Sequence, residues 1–174
     1  VHAFTLYFLD SHSRSEEADE RYDSVQKDQL DWITQSDLEF QKLDSKPNAA
    51  IFFHAPIWEY DQNDPKLGDK RESVSTPKSD ISALDSFKKA KSIKVVSWYV
   101  VFGRDHVNDY CVEQEQVQLC YAGGAGVGGY GAAHMGWPRR SRVFKLESGG
   151  EMITTWKRLD DERLTMLDFQ TLYS

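Results

Sequence analysis

The order of elements in this sequence is strand, helix, strand, helix, strand, then strands alone, which predicts an α/β core with an antiparallel tail. Three observations carry that prediction. Short apolar runs at residues 3–9 (AFTLYFL), 49–53 (AAIFF) and 93–102 (IKVVSWYVVF) have the length and β-former content of buried strands. Helical patterns fall between them. The remaining strand-like segments, 117–122, 142–146, 152–158 and 164–173, follow one another without a helical pattern between them.

The first run ends in Asp10-Ser11-His12-Ser13 and a polar loop, 14–22. Asp23 and Gln26 have capping-box spacing, with Asp23 as the cap, so the following QKDQLDWI predicts a helix burying Val25, Leu30, Trp32 and Ile33. Pro47-Asn48 ends that region, and the second run leads directly into His54. Residues 55–80 read as a long polar loop with Pro56, Pro65, Gly68 and Pro77, a length that usually serves a site. Asp80 or Ser82 caps a short helix to about residue 91, with Leu84 and Phe87 on one side. The third run stops at Gly103, and the 117–122 strand enters a segment with seven glycines between Gly123 and Gly136.

The chain has 174 residues, 40% hydrophobic and 13% aromatic, a size and content that suit one domain spanning 1–174. The longest apolar run, 95–102, is far shorter than the ~18–20 residues of a membrane span. A formal charge of −7 weighs against bulk capture of nucleic acid or anionic lipid. Most of the excess is local, with eleven acids against five bases between Asp10 and Lys46. The sequence opens on Val1 with no basic-then-apolar leader, as processing or truncation would leave it.

His54 and His106 each follow a strand pattern, and in open α/β sheets ligands sit outside the carboxyl ends of the strands. Asp105, Asn108 and Asp109 lie beside His106, and this mixture of donors suits Zn, Fe or Mn better than Ca or Mg. The plainer reading is that such polar residues satisfy loop backbone. Gly124-Ala125-Gly126-Val127-Gly128-Gly129 matches a GxGxxG string, yet Gly131, Gly136 and Pro138 leave no room for the helix a dinucleotide site needs. Cys111 and Cys120 fall opposite one another if 111–120 is a hairpin turning near Glu115-Gln116. A disulfide there would fit an oxidising compartment, and two buried thiols are the alternative. Arg139, Arg140 and Arg142, with Trp137 and Lys145, form either an anion patch or ordinary salt bridges.

Seven stretches, taken in order, resemble the C-terminal half of the calcineurin-like metallophosphoesterase family, in a fungal branch related to purple acid phosphatases. They are LYFLDSHS (6–13), DSVQKDQLDWI (23–33), FFHAPIWEY (52–60), GRDHVNDYC (103–111), LCYAGGAGVGGYG (119–131), RRSRVF (139–144) and TTWKRLDD (154–161). The resemblance implies half of a two-sheet sandwich with flanking helices and a partial domain. It implies secreted or vacuolar placement. It implies Fe-, Zn- or Mn-class ions, divalent or trivalent, with His54 and His106 as metal ligands. The family's Gly-His-x-His motif falls on Gly103-Arg104-Asp105-His106, so Arg104 stands where the family has a ligand for the second metal. A guanidinium has no lone pair to give, which leaves that second site in question.

The family's other metal motifs precede LYFLDS, where this chain has only residues 1–5. The implied function is therefore the C-terminal chain or fragment of a phosphate-monoester hydrolase that uses metal-bound hydroxide once an N-terminal half completes it. The partners expected are that N-terminal half or a second copy, and a phosphorylated substrate or anion. Glu59, Asp105 and Asn108 are candidates for supporting the ligands. The other reading is a non-catalytic binding or regulatory protein in which Arg104 attracts an anion, or a lectin-like protein using Trp58, Tyr60, Tyr130 and Trp137.

Overall fold

A computed structural model describes residues 2–11, 24–62, 64–65, 67–75, 82–100, 105–126, 130–131 and 136–174, with the side chains of 98–100 left aside. His12, Ser13, the 14–22 loop, Asp23, Asp80, Arg104 and His134 lie outside the described residues.

Five strands form the main sheet: β1 (Phe4–Phe8), β2 (Asn48–Phe53), β3 (Ile93–Val100), β4 (Cys111–Gln114) and β5 (Val117–Gly124), in the order β1-β2-β3-β5-β4. β1, β2, β3 and β5 are mutually parallel, and β4 joins β5 as an antiparallel hairpin. Parallel neighbours require crossovers, supplied here by α1 (Lys27–Phe40) and α2 (Ala83–Lys89). β6 (Arg140–Glu147), β7 (Met152–Leu159) and β8 (Met166–Tyr173) form a separate antiparallel sheet in sequential order. The architecture is mixed α/β with two sheets, as the element order predicts.

The helices cover one face of the main sheet. Leu30 and Ile33 of α1 and Leu84 and Phe87 of α2 meet Tyr7, Ile51, Phe53, Val96, Leu119 and Tyr121 in one buried cluster. The three-stranded sheet lies against the other face, where Ile153 and Leu172 pack on Ala50, Val95 and the Cys111–Cys120 pair. That cover reaches Phe4 at the start of β1 and stops there. Leu6 and Phe8 are 51% and 72% exposed, with Phe8 stacked on the half-buried Phe52 at 5.4 Å. Beyond Phe4 the first strand is therefore buried on its helix side alone, and not on both faces as its apolar run suggests.

Three local expectations shift. Gln26, not Asp23, caps α1, because Gln29 offers one turn later the amide that Gln26 would have offered; its side chain accepts from the Gln26 N–H at 3.0 Å. Trp32 is 52% exposed, resting its ring edge-on against Tyr7, while the buried position one turn beyond Ile33 is taken by Asp37. Asp37 is tolerated there because it accepts from the Ser92 N–H across the helix–sheet interface. The 55–80 region is not a free loop: a 3₁₀ turn at Trp58–Asp61 and bridges Leu67–Cys111 and Lys70–Asn108 tie it to the hairpin.

The hairpin follows the sequence closely. Gln114 pairs with Val117 around Glu115 and Gln116, whose φ values of +47° and +73° are those of a two-residue primed turn. Cys111 then faces Cys120, and the two form a disulfide with Cα atoms 4.1 Å apart. No helix among the described residues is long and apolar enough to cross a membrane.

Candidate functional site

Because β1, β2, β3 and β5 run parallel, their carboxyl ends share one edge of the sheet. His54 is the first residue beyond β2. Its backbone N–H and that of Ala55 both donate to the hydroxyl of buried Ser11, at 3.1 and 2.7 Å. Ser11 lies just past β1, so one hydroxyl ties the ends of two adjacent strands and fixes the direction in which the chain leaves with His54.

His106 sits in the 105–109 turn and is buried. Asp105 before it has φ +67°, a left-handed conformation that Asp accepts more readily than most side chains. Gly124, at the end of β5, lets this turn close onto the strand: a Cβ there would stand 2.9 Å from the His106 carbonyl oxygen. The imidazole Nδ1 lies 2.5 Å from the Tyr130 carbonyl oxygen. A carbonyl can only accept, so Nδ1 carries the proton and, in the neutral ring, Nε2 carries the lone pair. Metal-ligating histidines are commonly oriented this way, with the second nitrogen donating to backbone.

A strap of residues 69–75 holds the turn from outside. The Asn108 amide oxygen accepts from the Arg71 and Glu72 N–H groups at 2.9 and 3.1 Å, and Asp105 Oδ2 accepts from the Ser75 N–H at 2.9 Å and the Tyr121 hydroxyl at 3.0 Å. The Val107 N–H donates to Glu72 Oε1 at 2.9 Å. Asp105 Oδ1 is buried and has no hydrogen-bond partner among the described residues. Burial raises the pKa of both Asp105 and Glu72.

Glu59 is elsewhere. Its carboxylate caps the start of α2, accepting from the Ser82 hydroxyl at 2.8 Å and from Leu84, and burial raises its pKa. Trp58 and Tyr130 are exposed, but Tyr60 and Trp137 are buried, so the four aromatics do not make one recognition surface. Asp109, one residue from Asn108, faces the second sheet rather than the rim. Its two oxygens take Arg140 Nη1 at 2.8 Å and Lys157 Nζ at 2.7 Å, all three side chains being buried. Lys157 also pairs with Asp168, and Arg140 lies over the Trp137 ring at 3.6 Å. Arg142 donates to the Tyr121 and Asp109 carbonyls at 2.7 and 2.6 Å, and burial brings its pKa down to about 10. Two of the three clustered arginines are thus consumed inside the sandwich.

Among the described residues, no group of three or more His, Cys, Asp or Glu side chains converges as a metal shell would. The chemistry of the individual donors does suit a metal: the His106 tautomer presents Nε2, and His54 is held at the same sheet edge.

No family model and no solved structure matches the chain. Curated relatives do. A probable inactive purple acid phosphatase 28 of Arabidopsis thaliana is 33% identical over 98% of this chain and 45% of its own length. A probable inactive purple acid phosphatase 29 of the same plant is 32% identical over 97% of this chain and 47% of its own length. The phosphatase DCR2 of Saccharomyces cerevisiae is 34% identical over 97% of this chain and 30% of its own length. The chain thus spans less than half the length of these relatives, and the stretch it matches is their C-terminal portion. The chain belongs to the purple acid phosphatases of the calcineurin-like metallophosphoesterase superfamily and corresponds to their C-terminal part.

Proposed function

We propose that this chain is the C-terminal portion of a metal-dependent phosphate-monoester hydrolase and that it contributes His54 and His106 to the metal centre. The observation that carries the reading is the His106 ring, locked by the Tyr130 carbonyl so that Nε2 holds the lone pair, on the same sheet edge as His54. The remaining ligands come from the N-terminal portion that the relatives' extra length represents. When bound, the ions supply Lewis-acid stabilisation of the phosphoryl group and a nucleophile at neutral pH. Ser11 fixes the backbone that carries His54 and the 69–75 strap fixes the turn that carries His106, so less ordering of these segments is left for substrate binding to impose.

The open β1 face supports the same division. Leu6 and Phe8 form an exposed apolar strip on the face that the second sheet leaves open, and among the described residues β8 is a free edge of that sheet. Strands added to β8 by the N-terminal portion would cover it.

A second reading has two observations behind it. Arg104 replaces a family ligand, and two of the relatives above carry "probable inactive" in their names. In that reading the protein binds a phosphorylated ligand without hydrolysing it. The complete protein, assayed with p-nitrophenyl phosphate alongside its R104H variant, separates the two. Turnover by the wild type supports the hydrolase. Turnover only in R104H, with metal uptake raised, supports the binding protein.

A further inference from the structure

Arg140 and Arg142 turn into the sandwich, and the third clustered arginine is placed differently. Arg139 stands one residue before β6, where its carbonyl accepts from the Asp160 N–H at 2.7 Å and ties its backbone to the end of β7. Its side chain reaches the glycine-rich segment, and Nη1 donates to the Tyr130 carbonyl at 2.7 Å. The same oxygen takes His106 Nδ1 at 2.5 Å. Both lone pairs of one carbonyl are therefore engaged, one by an imidazole and one by a guanidinium. Two glycines make room for this. A Cβ on Gly131 would stand 1.8 Å from Arg139 Nη1, so any side chain there would push the guanidinium away. A Cβ on Gly124 would stand 3.5 Å from that same Nη1 and 2.9 Å from the His106 carbonyl oxygen, so Arg139 and the His106 turn close on the same end of β5.

Tyr130 belongs to a stretch with seven glycines between Gly123 and Gly136, and glycine leaves a backbone its widest conformational freedom. A carbonyl in such a stretch stays aimed at an imidazole only if something outside the stretch holds it. Arg139 does so with a charge-assisted bond, roughly twice as strong as a neutral one, from a backbone anchored on the second sheet. We infer that Arg139 is a positioning residue for His106: by holding the Tyr130 carbonyl it keeps the proton on Nδ1 and the lone pair on Nε2. The consequence for metal binding rests on the reading of His106 as a ligand, while the effect on the tautomer stands without it.

The test uses the complete protein with isotope-labelled histidine, stripped of metal by a chelator, in mildly alkaline buffer where imidazole is neutral. NMR reads the ring-nitrogen resonances of His106, assigned by their loss in H106Q. The wild type is expected to show the Nδ1-protonated tautomer alone. R139Q removes the guanidinium and G131A displaces it, and each is expected to give a mixture of tautomers. Each is also expected to bind zinc about tenfold more weakly in competition with a chromophoric chelator. R139K keeps a cationic donor for what is a single hydrogen bond, and it is expected to return both readouts most of the way to wild type. G131A leaves Arg139 itself in the chain, so it decides the matter if R139Q fails to fold. Tautomer and zinc affinity unchanged in the variants overturn the inference. Zinc affinity lowered with the tautomer unchanged overturns it too, because Arg139 would then act by another route. A tautomer that shifts, in a protein whose zinc binding is the same in H106Q, upholds the positioning role and overturns only the metal-ligand reading.

Discussion

The two faces of the five-stranded sheet are built differently. On the helix side, α1 and α2 close a continuous cluster in which Ile33, Phe87 and Leu119 have no exposed surface. On the other side the cover is partial. It is also joined by charge as well as apolar contact, through Asp109 between Arg140 and Lys157, and it leaves Leu6 and Phe8 open. The difference teaches that one face is a finished core and the other a joint, with its buried ions fixing how the second sheet sits and Leu6 and Phe8 left in contact with solvent. Buried ion networks add little net stability over apolar packing, but they penalise any arrangement that separates the partners.

Breaking the joint at its shared anion is expected to have the largest effect. D109N leaves buried Arg140 facing a neutral amide and Lys157 with Asp168 alone, and the loss should be about 3–5 kcal/mol in urea unfolding. Cutting the finished core comes next: F87A should cost about 3–5 kcal/mol in any context, by lost burial and the cavity left behind. Its counterpart F8A sharpens the contrast. Removing a ring as exposed as Phe8 should change stability by no more than about 0.5 kcal/mol in this chain alone, and by several times that once the N-terminal portion covers it. Equal small effects in both contexts would mean that the strip is ordinary surface.

The disulfide is a smaller lever on the same joint. Cys111 and Cys120 are nine residues apart, so replacing both with serine opens a short loop and should cost about 2–3 kcal/mol, read as a lowered denaturation midpoint. The smallest effect belongs to the helix side. Burial raises the pKa of Glu59 above its ordinary 4.5, so the folded protein holds that proton more tightly than the unfolded chain. The resulting stabilisation is complete below the ordinary value and is lost as pH rises through the raised one. Stability of the wild type should decline across that window, and E59Q should flatten the decline.

Much of the framework was legible in the residues. The hairpin could be read to its turn because two cysteines, a short strand and a polar pair admit few pairings, and the parallel strands announced themselves as apolar runs. What escaped has a common physical cause. Lys157, Asp168 and Asp37 are buried by partners distant in sequence, and a charged side chain carries no mark saying that its counter-ion will arrive from another element. Trp32 kept a helical spacing that fits burial, yet the interface was already filled by Leu30 and Ile33. In the site, His54 and His106 stood out because each follows a strand. Ser11 and the 69–75 strap did not, because they act through hydrogen bonds to backbone that any short polar loop can make. Tyr130 acts through its carbonyl, which every residue has.

The claim that matters most is that this chain supplies two ligands to a metal centre completed from elsewhere in the protein. Elemental analysis of the complete native protein, compared with its H54A and H106A variants at matched folding by circular dichroism, tests it directly. The account predicts at least one Fe, Zn or Mn ion per chain in the wild type and a loss of metal in each variant. Metal content unchanged in both variants would contradict it.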